Sequence, residues 1–446
     1  MKILLSAFSF GPGQGSEPGI GWNWALHAAR QGHAVTVVTS SEYRDDIAAA
    51  ASRGDIQPGV TIDIFMPDWL ERAAKRLLRL LPEGLAWNLI HVMWQRALVG
   101  HVQAAYAGAD FDFAHHITLG GARHPTVLHK AGIPLVVGPL GGGDRVPMAL
   151  RKSFPMHGWL SDLARDVYNR AIAFDPMTRG AAHASLAYYA RTEATRRLLP
   201  GPLGEKTRVR LELGIDQQPA GARPEPPVAT PGRPLRLVYA GRLTYLKGMH
   251  LGIRAIAAAV ESGADLRLTM AGDGREEQAW RGLAEDLGIA DRITWLGRVS
   301  QGDLAEQYRA ADALLFPSLR DASGNVVVEA MSHARPVICL ALGGPNEIVT
   351  PDSGIAVPVA GRSEADVVRD LGGTLAALAS DRARLAQLGR GALARTNVFH
   401  WPNVVHDLYQ EVQGDLARRN PTPAAETGHA PDGHGTSDIQ PTAVVS

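Results

Sequence analysis

The feature that most constrains this chain is a strand-and-helix alternation that runs twice, broken once by a proline-rich stretch. Apolar runs at residues 3–8, 34–39, 60–65, 113–117, 135–138, 185–189 and 208–213 read as strands, with helical patterns at 19–30 and 70–106. Residues 217–234 (QQPAGARPEPPVATPGRP) hold six prolines and no apolar periodicity, as a linker would. The alternation then restarts with runs at 235–239, 266–271, 292–296, 313–316, 337–340 and 355–357. Near-continuous apolar strands separated by helices belong to parallel sheets covered on both faces. The expected fold class is therefore α/β, with two doubly wound domains whose ligands sit at strand C-termini. A length of 446 residues agrees, being more than one core usually organises. The first domain is expected over 1–216 and the second over 235–396. Residues 419–446, rich in Pro, Gly, Thr and His, are expected to be disordered, and His429 and His434 belong to that composition rather than to a metal site.

Composition removes several function classes. Basic and acidic residues number 45 each, so no overall charge favours nucleic acid. The single cysteine, Cys339, excludes an internal disulfide or a cysteine metal cluster, suits a reducing cytosol, and reads as core filler within its apolar run. The N-terminus lacks a secretory h-region, and no run approaches the roughly 20 apolar residues of a membrane span. A cytoplasmic chain is expected, with peripheral contact at the inner membrane face as one option. That option rests on residues 71–81 (ERAAKRLLRLL), where Arg72, Lys75, Arg76 and Arg79 share one helix face and Leu77, Leu78 and Leu81 lie largely opposite. The competing reading is a surface helix whose leucines pack on the first domain. Asp110-Phe111-Asp112 precedes a strand instead of following one and is discarded as a metal motif; no metal and no cofactor are expected.

The chemistry-bearing residues cluster at strand ends of the second half. Gly241 to Gly248 puts Arg242 and Lys247 near a helix start, an arrangement suited to a diphosphate. Gly272-Asp273-Gly274 is a tight turn after a strand. Residues 317–331 present Asp321, then Gly324, Asn325 and Val326 at a helix opening, then Glu329 about one and a half turns on, where a ribose diol would find a carboxylate. Gly343-Gly344 ends the next strand. In the first half, the loop 11–22 narrowly misses GxGxxG because Pro18 stands at the third glycine, which disfavours a dinucleotide site.

Taken in order, these motifs resemble the large retaining GT-B glycosyltransferase family 4, the group 1 glycosyltransferases. The resemblance spans roughly 235–358 through Arg242…Lys247, Gly272-Asp273-Gly274, Asp321…Glu329 and Gly344…Glu347, with Asp321 standing where Glu is usual. It implies two Rossmann-like domains facing a central cleft, with residues 397–418 forming a helix that crosses back to the first. It also implies transfer of a hexosyl unit, with retention, from a UDP- or GDP-sugar to a saccharide or lipid-linked hydroxyl acceptor. Arg242, Lys247, Gly324, Asn325, Val326 and Glu329 would hold the donor, and Gly19 and Gly21 would close on its phosphates and sugar. Asp321 and His116 would border the reacting carbon. Where relatives carry a histidine after the strand at 135–138, this chain has Gly138-Pro139-Leu140-Gly141-Gly142-Gly143. A nucleotide-sugar epimerase and a non-catalytic nucleotide-sugar-binding protein are the alternative readings.

Overall fold

The computed structural model describes residues 1–419 apart from 15, 123, 173, 200, 217–223 and 228–231. Most of the expected linker, and the expected tail beyond Arg419, lie outside the described residues. The chain builds two parallel sheets. The first has seven strands: β1 (Lys2–Ala7), β2 (Ala34–Thr39), β3 (Val60–Ile64), β4 (Phe113–Thr118), β5 (Leu135–Leu140), β6 (Ser185–Ala190) and β7 (Arg208–Val209), in the order β3-β2-β1-β4-β5-β6-β7. The second has six: β8 (Leu235–Ala240), β9 (Leu266–Ala271), β10 (Ile293–Gly297), β11 (Ala313–Phe316), β12 (Val337–Leu340) and β13 (Gly354–Val357), in the order β10-β9-β8-β11-β12-β13. Both orders reverse beside the first strand of their sheet, and such a reversal opens a crevice at the strand C-termini. This is the two-domain Rossmann-like GT-B architecture.

Two helical readings shift. The first helix begins at Ser16 rather than at 19, which moves Glu17, Gly19 and Gly21 from a loop onto its first turns. The pattern at 70–106 is two helices, Asp68–Leu80 and Glu83–Ala105, because Leu81 before Pro82 is extended. Strand β7 is two residues long instead of six. After it the chain leaves the sheet, and Leu213 joins the core of the second domain. The last helix, Trp401–Arg419, packs on the first domain: Trp401, Val405, Leu408 and Tyr409 share a core with Trp24 and Phe113. Trp24 Nε1 donates to the Tyr409 hydroxyl at 2.9 Å. Where the chain recrosses, Ile215 bridges His400, and the Ile215 amide donates to the Phe399 carbonyl at 2.8 Å.

Candidate functional site

Strand ends of both sheets meet across the cleft around two cavities that share Ile20 and Asn325. The smaller, about 260 Å³, is lined by Glu17, Arg191, Arg242, Lys247, Asp321 and the Ser323–Val326 turn. The larger, about 540 Å³, is lined by Gly19, Leu213, Tyr308, Glu329, His333 and Trp401 among others. Together they form a polar trough from a cation-rich end to a carboxylate-bearing end.

At the cation-rich end, the loop after β8 carries Arg242 exposed and Lys247 partly buried. Lys247 Nζ lies 2.6 Å from Asp321 Oδ2, so this ion pair occupies the floor of the cavity. The other oxygen of Asp321 accepts from the amides of Ser323 (3.2 Å) and Gly324 (3.0 Å). Asp321 thereby shapes the turn that starts helix Asn325–Ser332, and Gly324 takes φ +81°, a conformation that favours glycine. The Gly324 amide is thus committed to Asp321. The amides of Asn325 and Val326, in the first helical turn, have no intrahelical acceptor and face the cavity. An anion there meets two N–H groups and the positive helix end. Among the described residues Arg242 has no ion-pair partner.

At the other end, Glu329 projects from the same helix. Burial raises its carboxyl pKa above the ordinary range, and the Tyr308 hydroxyl donates to Oε2 at 3.3 Å. One oxygen remains for a neighbouring diol.

Sequence reasoning missed the third cation. Arg191, directly after β6, is buried with Glu17 Oε1 at 2.8 Å and Glu212 Oε1 at 2.9 Å. Glu212 is fully buried and also accepts from Ser323 Oγ at 2.9 Å, which ties the first domain to the turn bearing Asp321. Position alone was a usable signal, since Arg191 stands at a strand C-terminus, where open α/β sheets bind ligands.

The structure places three expected site residues differently from the others. His116 does not reach either cavity. Strand alternation sends His115 and His116 to opposite faces, but helices cover both faces, so both are fully buried. His116 Nδ1 lies 3.4 Å from Ser6 Oγ and 3.5 Å from Gln95 Nε2, and burial pushes its pKa down to about 3. His115 donates from Nε2 to the Gly138 carbonyl at 2.7 Å, which leaves Nδ1 to accept from the Tyr409 hydroxyl at 3.1 Å. Gly21 sits on the inner side of the first helix, where a Cβ would stand 3.0 Å from the Ser9 carbonyl. Gly19 does line the trough, but at the Glu329 end rather than beside the cations. The Gly272-Asp273-Gly274 turn braces the Arg242 loop from below, its Asp273 carbonyl accepting from the Leu243 amide at 2.7 Å.

Residues 225–371 match the family model described as glycosyl transferases group 1. That segment resembles a group 1 glycosyltransferase domain. The domain spans the whole cation-to-carboxylate path from Arg242 to Glu329. Among relatives, a D-inositol 3-phosphate glycosyltransferase of Stackebrandtia nassauensis is 32% identical over 49% of this chain and 47% of its own, so the match spans about half that relative's length. A D-inositol 3-phosphate glycosyltransferase 1 of Catenulispora acidiphila is 29% identical over 79% of this chain and 86% of its own. Among solved structures, the Anabaena HepE protein in complex with UDP superposes with a TM-score of 0.56 at 16% identity, over 93% of this chain and all of that one. At that identity the likeness speaks for the fold alone.

Proposed function

We propose that this protein transfers a hexosyl unit from a nucleoside-diphosphate sugar to a hydroxyl of a saccharide or lipid-linked acceptor, with retention of anomeric configuration. The observation that carries the proposal is the trough itself. Arg242, Lys247 and the Asn325 and Val326 amides stand at one end, and a ribose-competent carboxylate, Glu329, at the other, all on one helix and its neighbouring loop. In this reading the diphosphate lies on the cations and the helix N-terminus, the ribose diol donates to Glu329, and the transferred sugar meets Asp321. Arg242 and Lys247 stabilise charge growing on the departing diphosphate, the usual largest contribution to such a transfer.

UDP is the first nucleotide to test, because the Anabaena protein of the same fold was solved with it. Inositol 3-phosphate joins the acceptor panel because the relatives' names include it. The decisive experiment is calorimetry with UDP- and GDP-sugars, followed by proton NMR of the product's anomeric coupling. Tight donor binding with an inverted product would overturn retention alone. Absence of binding by every nucleotide sugar would overturn the whole reading. Turnover of donor without acceptor would point to epimerisation instead.

A peripheral membrane contact belongs to the same proposal. Helix Asp68–Leu80 seats Leu70, Ala74 and Leu77 on the first domain's core while Arg72, Lys75, Arg76 and Arg79 stay exposed. Leu78 and Leu80 are exposed beside them.

A further inference from the structure

A second helix is amphipathic the wrong way round for a globular protein. Helix Met156–Ile172 buries Gly158, Asp162, Asn169 and Ile172 against the protein. Its outward face is Met156, Trp159, Leu160, Leu163, Val167 and Tyr168, and Phe174 just beyond it is also exposed. Met156 is 76%, Leu160 54% and Val167 59% exposed, whereas Asp162 is 1% exposed. Surface helices ordinarily turn the apolar stripe inward. A contiguous apolar stripe left outside marks a contact surface.

The polar inner face explains why the helix holds this orientation. Asp162 pairs with Arg151 and Arg320, and Asp166 with Arg151 at 2.7 Å. Arg165 and Asn169 both donate to the Gly142 carbonyl at 3.1 Å. Gly158 lies flush on the Tyr245 ring, in the turn that carries Lys247. Arg320 immediately precedes Asp321. The helix is thus clamped to the rim of the donor trough from both domains, and rotating it to hide the apolar stripe would break four ion-paired or hydrogen-bonded side chains.

Charge selects the occupant. Both acidic residues of the helix are turned inward and neutralised, and Arg170 is the only charged side chain left exposed on it. Lys152 is exposed just upstream, as is Arg145, which pairs with Asp166 at 3.6 Å. An apolar stripe containing Trp and Tyr, with cations and no exposed acid, complements an anionic lipid interface. We propose that the outward face of helix Met156–Ile172 docks on an anionic bilayer surface and thereby sets the mouth of the trough against the membrane. This goes beyond the transferase reading and depends on it only for its purpose, the delivery of a lipid-borne acceptor.

The test uses the full chain with Ala164→Cys labelled by an environment-sensitive fluorophore; Cys339 is buried and stays unlabelled. A Ser262→Cys label on the second domain is the control. Phosphatidylcholine vesicles containing phosphatidylglycerol should shift and brighten the probe at 164 and leave that at 262 unchanged. Leu160→Asp with Val167→Asp should lower vesicle partitioning by at least about tenfold. Because both side chains are exposed, donor calorimetry on this variant should match the parent, which separates failure here from failure of the transferase reading. The proposal is overturned if the chain ignores anionic vesicles at low salt, if it binds while the probe at 164 stays unchanged, or if the double variant partitions like the parent. Concentration-dependent dimerisation that shields the 164 probe without lipid would assign the face to a second copy and overturn it equally.

Discussion

The Lys247–Asp321 pair makes a prediction whose sign is unusual for an active-site substitution. Lys247 is held by Asp321 at 2.6 Å, with the two side chains only 19% and 17% exposed. A diphosphate must compete with that carboxylate for the ammonium. Lys247→Ala removes one charge-assisted bond and should weaken nucleoside diphosphate binding by roughly 1–3 kcal/mol, about 5- to 150-fold in Kd. Asp321→Asn acts in the opposite direction. Asparagine keeps an oxygen for the Ser323 and Gly324 amides, so the turn survives, while Lys247 is released to the phosphates. Binding of the free nucleoside diphosphate should be unchanged or tightened by up to about 1 kcal/mol. Sugar transfer should nevertheless collapse, because the carboxylate that meets the sugar is gone. Titration calorimetry with the preferred nucleoside diphosphate, on the parent, both single variants and the double variant, reads this directly. If Asp321→Asn weakens nucleotide binding as much as Lys247→Ala does, the competition inferred from the ion pair is wrong.

Five further outcomes follow from the geometry. Glu329→Ala should cost roughly 1–3 kcal/mol of donor affinity. Because burial raises the Glu329 pKa, parent affinity should fall as pH drops through that raised value, whereas Glu329→Gln should be flat, as calorimetry across pH would record. Transfer should survive EDTA, since Arg242 and Lys247 supply the positive charge; loss on chelation with rescue by magnesium or manganese would reassign that role. Burial depresses His115 to about 4 and His116 to about 3, so the unfolded chain takes up protons first as pH falls below about 6.5. Stability present above that pH is then lost on acidification, by about 2 kcal/mol per histidine between pH 7.5 and 5, visible in urea midpoints and reduced in His116→Gln. Changing Arg72, Lys75, Arg76 and Arg79 to Gln should weaken vesicle binding and flatten its salt dependence in co-sedimentation.

Strand positions were legible because parallel strands covered on both faces leave unbroken apolar runs, such as those at 34–39 and 266–271, which became β2 and β9 without adjustment. The grouping of Arg242, Lys247, Asp321 and Glu329 along one trough was legible for a related reason, because all four follow strand ends of the second sheet. The Arg191 network was not. Glu17, Arg191 and Glu212 come from a helix start, a strand end and a departing chain segment, and only the stacking of β1, β4, β5 and β6 brings them together. His116 stands apart from both cavities for the opposite reason. A polar residue at a strand end looks like a site residue until the cover on both faces is known, and here Gln95 and Ser6 meet the imidazole at Nδ1 inside the core. The outward apolar stripe of helix Met156–Ile172 was equally hidden, since an amphipathic pattern reports two faces but not which of them the protein keeps.

The paired crossing at Ile215 and His400 has a mechanical consequence. Two covalent connections lashed side by side act as a door hung on adjacent pins: sliding and twisting between the domains are resisted, and swinging about the lashed line is the easy motion. Leu213, Gly214 and Trp401 lie on that line and also wall the larger cavity. Gly214 is pressed so closely to the Trp401 indole that a Cβ would fall 2.3 Å from it. The Glu329 end of the trough therefore rests beside the pivot, while the Lys247–Asp321 end lies out toward the far edge, where Ser323–Glu212 and Arg320–Asp162 latch the two domains together. Opening such a door requires those latches to part first, while the wall at the hinge keeps its shape.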